Sequence, residues 1–123
     1  MPAAVPKRLG FSRAKRLKQG RDFTRARQVG QRAVRGCLIA NWRCLPAGAP
    51  TRLGVVTSRK IGGAAVRNRA RRLLREAFRL HQTELTQPMD LVLVARPSIV
   101  GRGWAEVEKD FLATMRQAGL MNR

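Results

Sequence analysis

Arg59-Lys-Ile-Gly-Gly-Ala-Ala-Val-Arg-Asn-Arg-Ala-Arg-Arg-Leu-Leu-Arg-Glu76 is the stretch on which the reading of this chain turns. With Val66 at zero and about 100° per residue, Val66, Ala70, Leu73, Leu74, Ala77 and His81 share one arc of about 100°. That arc is a core stripe. Arg67, Asn68, Arg71, Arg72, Arg75 and Arg79 occupy the far side, and Arg69 lies near the stripe's other edge. A disordered basic tail keeps no such spacing, so the pattern predicts a folded helix from about Ala64 to Leu85. Glu76 is the only carboxylate between Arg59 and Arg79. Like charges at i and i+4 destabilise a free helix, so a helix that keeps them is best explained by a polyanionic ligand. Guanidinium groups hold phosphates bidentately, which lysines cannot do. Gly62 and Gly63 let the preceding loop approach closely, and the free N–H groups of the first turn add a further place for an anion.

Composition points the same way. At 123 residues the chain is one domain by size. Lys+Arg 26 against Asp+Glu 7 gives a net charge of +19, and binding a nucleic acid relieves that self-repulsion by counterion release. A membrane surface is the competing polyanion, but no run approaches the roughly 18 apolar residues of a spanning helix. The opening Met-Pro-Ala-Ala-Val-Pro-Lys-Arg lacks a continuous apolar region, so no signal peptide is expected. Cys37 and Cys44 match no zinc or redox spacing and read as reduced thiols on opposite faces of a strand. A cytoplasmic location follows as the expectation.

Outward from the helix, residues 1–18 read as a basic, flexible arm and residues 19–123 as a single RNA-binding α/β domain. A short helix is expected over Asp22 to Val29, stopped by Gly30. Cys37 to Leu45 reads as a strand with Leu38, Ala40 and Trp42 on one side. Pro46 to Pro50 is a turn, and Arg52 to Ser58 a second strand. Met89 to Ala95, interrupted only by Asp90, suits a central strand buried on both faces. A last helix is expected over Trp104 to Ala118. Its stripe is Trp104, Val107, Phe111, Met115 and Ala118, with Gly119 past its end. The sum is an α/β (α+β) two-layer sandwich.

Lys60-Ile61-Gly62, Ala64, Val66 and Arg67-Asn68-Arg69-x-Arg71-Arg72-x-Leu74-Arg75-Glu76 resemble the signature of the bacterial ribonuclease P protein component. Arg16-Leu17-Lys18, Asp22-Phe23 and Met89 through Arg96 extend the likeness over most of the chain. The resemblance implies a small mixed sheet, a long basic helix in a left-handed βαβ crossover, and helices at both ends. It implies a ribonucleoprotein that removes the 5′ leader of precursor tRNA, with the RNA subunit holding Mg²⁺ and performing hydrolysis. By the same resemblance, Arg67, Asn68, Arg69, Arg71, Arg72 and Arg75 dock on the catalytic RNA, and Phe23, Arg27, Arg59 and Lys60 line a cleft for the leader. The partners so implied are that RNA and precursor tRNA; from the sequence, no membrane and no obligate protein partner are expected. Two positions depart from the family pattern. Ala70 stands where a larger aliphatic residue is usual, and Arg27 where a second aromatic often lines the cleft.

Chemistry by the polypeptide alone is not expected. His81 falls on the core side of the long helix and reads as a structural histidine. Glu106 and Asp110 share a helix face and could bind Mg²⁺, but carboxylates in first turns also answer the helix dipole, which is the preferred reading. Asp22, Glu76, Glu84 and Asp90 are scattered, whereas a two-metal nuclease needs converging carboxylates. Six aromatics and no tyrosine argue against a paired-aromatic RNA platform. Two alternatives stay open: a structural binder of ribosomal or other folded RNA, and a protein-only nuclease, which the carboxylate shortage disfavours.

Overall fold

A computed structural model describes residues 30–121. The expected arm, the expected helix over Asp22 to Val29, and with them Phe23 and Arg27, lie outside the described residues. Four strands form one sheet: β1 (Gln31–Arg35), β2 (Leu38–Cys44), β3 (Arg52–Val56) and β4 (Met89–Ala95). Their order is β1-β2-β4-β3. β1 and β2 are antiparallel, β2 and β4 antiparallel, and β3 and β4 parallel. The parallel pair is joined through α1 (Ala64–His81), and α2 (Trp104–Gln117) follows β4.

Period-two alternation divides the sheet residues between its faces. Leu38, Ala40, Trp42, Leu53, Leu91 and Leu93 join one core with Leu74, Phe78, Phe111 and Met115 of the helices. α1 packs on β3 and β4, α2 on β1 and β2, and the two helices on each other. Val92 turns to the other face with Val56 and Val94 packed against it. β4 is therefore buried on both faces, as expected of an apolar run interrupted only by Asp90. Asp90, also on the second face, is fully buried. It accepts hydrogen bonds from Arg52 Nε and Nη2, both at 2.9 Å, and from Arg43 Nη2 at 3.1 Å. Both arginines stand opposite it in register. A buried carboxylate needs such partners.

Three expectations are corrected. β1 was not expected at all. Its residues are exposed apart from half-buried Ala33, so it carries no apolar face to read. Its presence follows from a two-residue hairpin loop, Gly36-Cys37, in which Gly36 supplies the positive φ of 62° that such a loop requires at its first position. A Cβ there would also lie 2.1 Å from Asp110 Oδ2. The long helix ends at His81, not Leu85. A 3-10 turn, Gln82–Glu84, takes over, and Leu85 leaves in extended conformation to bridge Met121. Val66, expected in the core stripe, is exposed, while Phe78 is buried. Helical side chains lean toward the N-terminus, so a long ring can enter the core from the stripe's margin. The last helix behaves as read: Val107, Phe111 and Met115 are fully buried, and Gly119 follows the end with φ 78°.

Candidate nucleic-acid interface

α1 carries six arginines, Arg67, Arg69, Arg71, Arg72, Arg75 and Arg79, and a single carboxylate, Glu76. That carboxylate is already engaged. Arg79 donates to it through Nε at 2.9 Å and Nη2 at 2.7 Å. Those hydrogen bonds hold the Glu76 carboxyl below its ordinary range. The rest of the face has no acid on its own helix to answer it. Asn68, Arg69 and Arg72 are exposed, and Arg67, Arg71 and Arg75 half-buried. The structure thus brings all six expected RNA-facing residues onto one helix, over three turns.

Two of them are positioned by neighbours. Arg71 Nη1 donates to Thr57 Oγ1 at 2.7 Å, and its Nη2 donates to Asn68 Oδ1. Arg69 Nη2 donates to the backbone carbonyl of Arg102 at 2.6 Å. These bonds hold the guanidiniums at set places while leaving other N–H donors of each fork for a ligand. The Thr57 contact also ties α1 to the end of β3. One residue on, Ser58 leads into the 3-10 turn Arg59–Ile61, where Arg59 and Lys60 are exposed and Ile61 is buried as the anchor. Arg59 and Lys60 therefore sit at the same end of the crossover as the start of α1.

That start is bare. Gly63 is the N-cap, no side chain accepts from the first-turn N–H groups, and no acid lies in the first turn. The positive end of the helix dipole thus faces outward beside the arginines. Gly62 has φ 145°, and a Cβ on it would come within 3.0 Å of Val66 Cβ.

The groups considered for catalysis are engaged in structure. Glu106 accepts from the Gly103 N–H at 3.2 Å and pairs with Arg102 at 3.4 Å, closing the first turn of α2. Asp110 accepts from the Cys37 N–H at 3.0 Å. The two carboxylates on one helix face thus go to different partners. Burial, together with Asp110, pushes the Cys37 thiol up to about 12. Both cysteines are free, Cys37 buried and Cys44 exposed. His81 is held between two carboxylates. One ring nitrogen meets Glu84, the other meets Glu108 at 2.8 Å, and the ring lies 6.3 Å from that of Phe111. Burial opposes its charge, but the hydrogen bonds to Glu108 and Glu84 outweigh it and raise its pKa. Glu108 escaped the sequence reading because its partner lies 27 positions away. Among the described residues, no group of three or more His, Cys, Asp or Glu side chains could hold a metal ion. No helix among them is long and apolar enough to cross a membrane.

Beside the basic face, Arg69, Arg72, Leu73, Glu76, Leu80 and Trp104 line an open groove of about 580 Å³. Sequence reasoning treated Trp104 as an apolar anchor only. Nothing local distinguishes an indole that anchors from one that also lines a groove.

The family model described as Ribonuclease P matches residues 11–119. A ribonuclease P protein component of Chloroflexus aurantiacus is 40% identical over 111 residues, covering 89% of this chain and 81% of the relative. That of Gluconacetobacter diazotrophicus is 36% identical over 109 residues, covering 88% and 94%. Among solved structures, the RNase P protein of Thermotoga maritima superposes with a TM-score of 0.72 at 27% identity, over 80% of this chain and 94% of that one. The Staphylococcus aureus RNase P protein superposes with a TM-score of 0.78 at 24% identity, over 88% and 98%, a likeness of fold.

Proposed function

Because the chain belongs to the ribonuclease P protein family, we propose that it is the RNA-binding subunit that helps a catalytic RNA remove the 5′ leader from precursor tRNA. Membership makes it a component of ribonuclease P, acting in tRNA processing with an RNA subunit. The finer reading rests on one observation: a helix with six arginines, whose single carboxylate is already paired internally.

In this reading Arg67, Asn68, Arg69, Arg71, Arg72 and Arg75 hold phosphates of the RNA subunit, and the uncapped start of α1 adds N–H donors to the same surface. Phe23, Arg27, Arg59 and Lys60 hold the leader, Phe23 by stacking and the cations through phosphates. Mg²⁺ belongs to the RNA subunit, where it supplies an activated water and stabilises the leaving oxygen. The protein's own contribution is electrostatic. Its guanidiniums screen repulsion between substrate and ribozyme phosphates, which lowers the Mg²⁺ concentration at which the complex is productive. The cytoplasm is the compartment that goes with this work.

Precursor tRNA cleavage tests the reading, with RNA subunit alone, protein alone and both together at low Mg²⁺. No cutting by RNA-free protein, and a clear gain when both are present, is expected. Binding to the RNA without any gain would make the chain a structural RNA binder. Cleavage by protein alone would make it a nuclease and overturn the proposal.

A further inference from the structure

The groove between α1 and the first turn of α2 has two kinds of wall. Leu73, Leu80 and the half-buried Trp104 indole supply apolar surface, and Arg69 and Arg72 supply positive charge. The one acid present, Glu76, is drawn to Arg79 and so does not repel an anion there. Arg69 is fixed by its bond to the Arg102 carbonyl, two residues before Trp104. Guanidinium and indole are thereby held at one site through the backbone of the loop. The chain's other tryptophan, Trp42, is only 4% exposed in the core. Trp104 therefore retains accessible surface in a place where anchoring alone does not require it.

An indole beside two guanidiniums suits a nucleotide: the base stacks on the ring, and the phosphate sits across the cations. The volume falls within the roughly 300–1,000 Å³ typical of sites for one small ligand. It has room for a single flipped-out residue but not for a duplex. We propose that this groove takes an unpaired nucleotide of the RNA subunit, its base against Trp104 and its phosphate across Arg69 and Arg72. The proposal rests on the reading that α1 docks on that RNA. It adds a stacking contact that reads unpaired structure, which charge alone cannot.

Full-length wild type, Trp104→Leu, Trp104→Phe and Arg72→Gln are titrated with transcribed RNA subunit at several salt concentrations. Trp104→Leu should bind about ten-fold more weakly, the loss of one stacked base, with an unchanged slope of log K against log salt. Trp104→Phe should stay within about two-fold, because a phenyl ring still stacks. Arg72→Gln should flatten the slope by about 0.7–0.9. Photocrosslinking with 4-thiouridine RNA subunit should yield adducts on the peptide containing Trp104. Wild-type affinity in Trp104→Leu would overturn the proposal. Equal weakening in both Trp104 variants with a lowered melting temperature would overturn it too, by making the ring purely structural. Should wild type fail to bind the RNA subunit in a salt-dependent way, the underlying docking reading falls instead, which is a separate and recognisable result.

Discussion

α1 and α2 lie side by side on one face of the sheet, yet they use charge in opposite ways. The acids of α2 are tied inward: Glu106 to its own N-cap, Glu108 to His81, Asp110 to the hairpin loop at Cys37. α1 begins without a cap or an acid, and its only carboxylate serves Arg79. One helix carries charges that hold the fold together. The other carries charges whose mutual repulsion a free protein must tolerate. Both helices keep an amphipathic period, so the apolar stripe alone does not tell them apart. Acids distinguish them: each α2 carboxylate is tied to a contact within the fold, whereas α1 carries six arginines and a single carboxylate, already engaged by Arg79.

The sharpest way to break this contrast is to remove a charge from α2. Asp110→Ala leaves the buried Cys37 N–H without its acceptor and should lower unfolding stability by about 1–3 kcal/mol. Chemical denaturation measures it, and the salt slope of RNA binding should be untouched. A changed slope would mean that Asp110 also shapes the RNA face. The converse substitution is on α1. Arg67→Ala with Arg72→Ala should weaken binding to the RNA subunit by roughly an order of magnitude and flatten the salt slope by about 1.4–1.8. The melting temperature should hardly move. A large fall in melting temperature would show that these arginines are structural and that the contrast is false.

The smallest effect lies where the helices meet. His81 gains its proton partners on folding, so its folded pKa is raised above the ordinary 6.5. The stabilisation is therefore fully present below the unfolded pKa and is lost as pH rises through the folded value. The difference in melting temperature between wild type and His81→Gln should be fully present below the ordinary 6.5 and shrink as pH rises through the raised folded value. A constant difference across that range would mean that the ring acts by packing on Phe111 alone.

How legible all this was depended on the range of each signal. Leu74 and Ala77 on α1, and Val107, Phe111 and Met115 on α2, follow a helical period and were read correctly. The burial of Met89 through Leu93 on both faces followed from an apolar run interrupted only by Asp90. β1 was missed because Gln31, Arg32 and Arg35 look like loop, and an edge strand needs only a partner's backbone, which leaves no side-chain pattern. Phe78 was left out of the stripe because the stripe was drawn from angles without side-chain reach. The six residues expected to face RNA were named from the resemblance to the family signature, and all of them lie on α1. Phe23 and Arg27 lie outside the described residues, so the leader cleft stands on resemblance and on the exposed Arg59 and Lys60.

By itself the sequence determined that a helix starting at about Ala64 is apolar on one side and arginine-rich on the other, because spacing and charge are local properties. Beyond local pairs such as Glu76 with Arg79, tertiary structure decided which charges are used up within the molecule. Asp90 between Arg43 and Arg52, His81 between Glu84 and Glu108, and Trp104 beside Arg69 and Arg72 each join residues from different parts of the chain. Such neighbours are set by how strands and helices pack, and no window along the chain contains them.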